Sequence, residues 1–479
     1  MATITTAGSG NWDAGATWTG GSVPADGDTA SISSGHTCTL TENEQVGAVV
    51  INGGTIAGGG FKITCVKTSG RLFDHSGTIT GNLDVELQGT HTTTEDFMGT
   101  GNIRNLILNG SGLNVDIGRA TTIAGDLTIT QGTLHTNASS NHALTVTGTT
   151  TLTGTLNLNG STASFNSGAT AGGVILGTAG YINGDADSTV TMGSISATGT
   201  GNRGVSLAGT NTINKYKASD DLIINLMDGT VDGTTLFTVT TPDAKGIALQ
   251  ETTSSLTLNP SSSVIYKLED TLNVNNLTIN SNASLTTLDG STSRGLVATG
   301  DASVTGTLTG NASAISLGSL TINSGGTYSA TSGTTTITKN TGATGGVAFY
   351  THTSGTFTHN SGLIKFTSAD ADTNVVGQSV TKNPFYDLEA TSTYEPKEAN
   401  ETTVLNNATF ANNVTFQDSA RYIKVLGICR FLSGEYNRNN NSTNANHFFG
   451  TLIIEGGTFE LAPMEITVGS FRNLGGTIS

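Results

Sequence analysis

LTITQGTL, residues 127–134, carries the pattern that decides the fold. Leu127 and Ile129 alternate with threonine, a Gln-Gly turn follows, and Leu134 opens a second short strand. The same phrase returns as VVINGGTI (49–56), LTINSGGTY (320–328) and LIIEGGTF (452–459). Shorter echoes are HSGTIT (75–80), TSGTFTHNSGLIKF (353–366) and LGGTI (474–478), with relatives in NLILNGSGL (105–113), LNLNGST (156–162) and NLTINSNASL (276–285). Period-two alternation puts the aliphatics on one face of a strand and Thr or Asn on the other. The Gly, Asn and Ser clusters supply positive φ and local hydrogen bonds for sharp corners. Leu127, Ile129, Leu277, Ile279, Leu320 and Ile322 are therefore expected in the core.

Leu83, Leu106 and Leu127 lie 23 and 21 residues apart. Self-similarity on that scale signals stacked repeats, in which a single coil cannot bury its apolar face alone. The expected fold is all-β: an elongated parallel β-solenoid (β-helix) with degenerate repeats of about 20 residues. At about 4.8 Å per coil the chain would make a rod on the order of 100 Å long. Composition agrees. Of 479 residues, 12% are charged and 64 are Gly, and no long stretch has helical apolar spacing. Thr, β-branched and stiff, suits exposed strand faces.

With 36 acids against 20 bases the net charge is -16, and no Lys/Arg cluster exceeds a pair. A nucleic-acid partner needs a basic face to displace counterions, so none is expected. Membrane insertion is not expected either, because LIINLM (222–227) is too short to span a bilayer. The start, MATITTAGSGNW, lacks the basic and apolar regions of a secretory signal, which predicts a product made in the cytoplasm. Cys38, Cys65 and Cys429 alternate with apolar neighbours and read as small inward hydrophobes.

Three sections are expected: an N-terminal cap and first coil (1–40), solenoid repeats (41–378) and an aromatic-richer C-terminal β section (379–479). Open strand edges at the ends of a stack are aggregation templates unless capped. Trp12, Trp18 and Pro24 read as that structural cap. Residues 380–479 hold 12 of the 25 Phe and Tyr, including Phe385, Tyr386, Phe448 and Phe449. These four are candidates for a subunit interface, since aromatics are enriched in interface cores. A wider core is the competing reading of the same residues.

No catalytic, cofactor-binding or metal-binding residue is assigned. The acidic pairs at 26/28, 185/187, 220/221 and 370/372 read as turns, and the eight histidines are scattered without ligand spacing. No nucleophile elbow or phosphate-binding loop occurs, and an enzyme is not expected. Polysaccharide cleavage would need paired carboxylates brought together across coils.

The opening GNWDAGATWTGGSVPADGDTASISSGHTCTL (10–40) resembles the start of repeat-rich phage virion proteins and related bacterial surface proteins. Trp12, Trp18, Pro24, Asp28, Gly35 and His36 fall on their pattern, while Cys38 replaces an aliphatic. NPFYDLEAT (383–391) is similar to their "FYNL" phrase. The resemblance implies a β-rich surface structural role, and the function expected first is that of a structural protein of the bacteriophage virion surface: a tail fibre, a tailspike-like appendage or a capsid-decorating protein, for host attachment or particle stabilisation. The partners expected are other virion proteins, further copies in a homo-oligomer (a trimer) held largely through the aromatic-rich C-terminal hundred residues, and a host surface glycan or receptor. A cell-surface adhesin or surface-layer component is the alternative, and a polysaccharide-degrading tailspike a third. An adhesin must be exported, whereas a phage protein leaves by lysis, so the missing signal favours the virion surface over the cell surface.

Overall fold

A computed structural model describes the chain except residues 1, 69, 90–91, 99–102, 166–172, 199–201, 208, 214–223, 227–229, 233–235, 240–245, 250–254, 261, 269, 290, 340–347, 368–373, 379–383, 397–400, 417–421, 439–445 and 461–464. Strands make up 59% of it and helical turns 2%, in about 15 solenoid turns spaced about 21 residues apart. The fold is an all-β parallel β-solenoid. It divides into two compact units, Met1–Thr238 and Val239–Ser479.

In the first unit the phrase at 127–134 sits inside the strand Leu127–His135, paired in parallel with Ile103–Ile117 before it. Leu106 pairs with Leu127, and Leu127 with Thr150 of the next coil; Leu108, Ile129 and Leu152 form the adjoining column. All six side chains are fully buried. Each enclosed Leu or Ile contributes on the order of 1.5–3 kcal/mol relative to exposure. Thr150 is the exception within its column: its hydroxyl is buried and has no hydrogen-bond partner among the described residues.

The corner of the repeated phrase depends on glycine. Gly53, Gly132, Gly325 and Gly457 lie in the turns of the four phrases, and all have φ between 70 and 86°. At Gly132 there is a second constraint, because a Cβ there would lie 2.5 Å from the Leu113 carbonyl oxygen of the coil below. Left-handed φ and close backbone approach both select glycine.

In the second unit Leu256, Leu277, Ala302, Leu320 and Phe349 form one inward column through successive parallel pairings. Leu258, Ile279, Val304 and Ile322 form its neighbour. The expected core positions Leu277, Ile279, Leu320 and Ile322 are fully buried here, as Leu127 and Ile129 are in the first unit.

The section after 379 keeps the ladder and changes the filling. The strand Leu363–Phe366 pairs directly with Asp387–Ala390. The column runs Leu317, Ile337, Phe366, Ala390, Phe410, Phe431, Ile454. Ala390 is the small member, and Tyr394 takes the space beside it, its ring 5.9 Å from Phe366 and 5.6 Å from Phe410. Alternating large and small residues lets such a core interdigitate at native density. The buried hydroxyls of Tyr328, Tyr394 and Tyr436 meet Thr335, Thr402 and His447. A polar partner is what makes a buried tyrosine tolerable.

Candidate functional site: the first and last coils

At the first coil, Trp12 and Trp18 are 0% and 1% exposed. Their rings cross edge to face at 5.0 Å and 77°. The Trp18 indole N–H donates to the Trp12 carbonyl oxygen at 2.6 Å, and the Trp12 backbone N–H donates to Thr39. Two short 3₁₀ turns, Gly15–Thr17 and Thr19–Gly21, carry the chain around this pair. Pro24 is buried. The Asp28 carboxylate accepts the backbone N–H groups of Ala2 and Ala25, which hold its pKa below the usual range. His36 Nδ1 meets the Thr6 hydroxyl, which accepts from the backbone N–H of Ser33, and Gly35 has φ 80°. Trp12, Trp18, Asp28, Gly35 and His36 thus each have a folding role in this coil.

All three cysteines are free and buried. Burial pushes the Cys38 and Cys65 thiols up to about 12, with Glu44 adding to the effect at Cys38. The buried imidazole of His75 is shifted downward by the same desolvation. Exposed faces carry columns of hydroxyl side chains, such as Thr307, Thr327 and Thr356. Ion pairs bridge neighbouring coils: Arg104 grips Asp84 through two nitrogens, and Lys62 meets Glu86 at 2.6 Å. Asp26, Asp28, Asp185 and Asp187 lie in or beside turns, and no group of three metal-ligating side chains occurs among the described residues. The pairs at 220/221 and 370/372 lie outside the described residues.

At the last coil the core positions come to the surface. Phe471 continues the column of Cys429 and Leu452 yet is 48% exposed. Leu474 and Ile478 are 56% and 38% exposed. Phe471 and Ile478 rim an open apolar groove with Leu452, Ile454, Ile466 and Val468.

The four candidate interface aromatics separate into two kinds, which corrects the expectation for two of them. Phe385 and Phe449 are fully enclosed by the chain's own core and have no surface to offer a partner. Phe385 packs edge to face on Phe349 and Phe357, and Phe449 on Tyr436 and Phe459. Tyr386 and Phe448 are half-buried, and the Tyr386 ring stacks on His359 at 5.4 Å. The groove residues Phe471 and Ile478 were not singled out from the sequence, although Ile478 lies in the final repeated phrase, LGGTI (474–478).

The fold is that of a parallel β-solenoid. Compared with protein-family models, curated proteins and solved structures, the chain matches none.

Proposed function

We propose that this protein is a non-catalytic structural component of a bacteriophage virion surface, serving attachment to the host or stabilisation of the particle. Its surroundings would be other virion proteins and further copies of itself in a trimer. The observation that supports this reading is the parallel β-solenoid itself, whose stacked coils carry outward columns of hydroxyl side chains such as Thr307, Thr327 and Thr356. A solenoid with small side chains packs well side by side in a closed symmetric group. The resemblance of residues 10–40 to virion and bacterial surface proteins supports the location. The faces of Thr, Ser and Asn suit hydrogen bonding to a host glycan.

Mass spectrometry of particles purified from a host lysate tests this reading. Recovery of the protein with the particles at a fixed ratio to the capsid protein is expected. Recovery only in the particle-free supernatant overturns it.

A further inference from the structure

The strand Glu44–Val46 carries a carboxylate on its inward side. It pairs in parallel with Lys62–Cys65, setting Glu44 against Ile63 and Val46 against Cys65. Val46, Ile63 and Cys65 are fully buried, so alternation turns Glu44 toward the core as well. Its Oε1 is buried without a hydrogen-bond donor among the described residues, and the indole Nε1 of Trp12 is buried without an acceptor. Among the described residues the strand has no second neighbour, which makes it an edge of the ladder. Inward-pointing charge is one way to protect such an edge. Glu44 as a whole is half-buried, and its enclosed Oε1 is costly to leave charged without a partner.

Among the described residues the groups that act electrostatically with Glu44 include no cation: they are Glu42 from the preceding turn, Asp13, beside Trp12, and the thiol of Cys38. Of the charges nearby, Lys62 is engaged by Glu86, and Asp26 accepts from the Gln45 side chain.

We propose that the N-terminal cap is a proton-responsive element, in which neutral Glu44 lets the Trp12–Trp18 pair close over the first coil and ionised Glu44 loosens it. The electrostatics agree with the geometry. Burial first, then the charges of Glu42 and Asp13, push the Glu44 carboxyl up from 4.5 to about 7. Between those values the closed cap binds more protons than an opened one. Its stability therefore falls as pH rises from 4.5 to about 7 and levels off above.

Trp12 and Trp18 are the two tryptophans of the chain, so indole fluorescence of the full-length protein reports the cap alone. The titration runs from about pH 5 to about pH 9, bracketing a carboxyl raised to neutrality. Wild-type emission is expected to move to the red, and to become more open to acrylamide quenching, with a midpoint near 7. E44Q is expected to hold the acid-form spectrum throughout. D13N, which removes a like charge, is expected to move the midpoint to lower pH. A flat wild-type titration, or an E44Q protein that titrates as wild type does, overturns the proposal. Should E44Q fail to close its cap at any pH, D13N decides: an unmoved midpoint overturns the proposal, and a lowered one upholds it.

Discussion

The indole N–H of Trp18 is bonded to the carbonyl oxygen of Trp12 at 2.6 Å, inside a pair of rings that cross edge to face. This contact joins the 3₁₀ turns to the first coil, because the Trp12 N–H is itself bonded to Thr39. Trp18→Phe keeps most of the ring and loses the donor, leaving a buried carbonyl short of one partner. Urea unfolding followed by far-UV circular dichroism should show a loss of about 1–3 kcal/mol. Trp18→Ala should cost about 3–5 kcal/mol, the usual range for emptying an aromatic site.

Two glycines with similar backbone conformations should respond differently to alanine. Gly132 has φ 86° and faces the Leu113 carbonyl oxygen at 2.5 Å from a virtual Cβ, whereas Gly112 has φ 78° and open space around it. Gly112→Ala should cost about 1 kcal/mol, the strain of a left-handed alanine. Gly132→Ala should cost clearly more, because the coil below must shift. Equal losses in a thermal melt would mean that coil spacing is not set by this contact.

Thr150 occupies a core position between Leu127 and Val174 with its hydroxyl unpartnered among the described residues. Thr150→Val removes that hydroxyl at nearly constant volume. Stability should rise by about 1–3 kcal/mol, the ordinary penalty of an unsatisfied buried polar group. A loss of stability would show that the hydroxyl is bonded in solution.

These sites mark where the sequence was legible and where it was not. Leu127, Ile129, Leu320 and Ile322 were readable because strict alternation within a phrase allows only one inward parity. Thr150 was not, since threonine fits either face of a strand. Phe448 and Phe449 are adjacent, and only the second enters the core. The register shifts between Val425 and Ile428 in the pairing with Asn446–Ile454, so parity before a corner does not carry past it. Glu44 was hidden for a different reason: its inward direction appears only from the pairing with Ile63. The two compact units also have no compositional marker, because the repeated phrase continues on both sides of residue 238.

Phe471 and Ile265 offer a matched pair for the proposed assembly, being 48% and 56% exposed. Phe471→Glu places a charge in the apolar groove of the last coil, whereas Ile265→Glu changes a solitary exposed aliphatic. Light scattering should give a trimer for wild type and Ile265→Glu, and a monomer for Phe471→Glu. A trimer that survives Phe471→Glu would put the interface elsewhere.

The central claim is that this β-solenoid is displayed on the outside of a virus particle. Immunogold electron microscopy of intact, purified particles, with antibody raised against the full-length protein, tests it most directly. Gold at repeated positions on the exterior of the particles is the predicted result. Bare particles, with gold on the envelope of uninfected host cells instead, would contradict it.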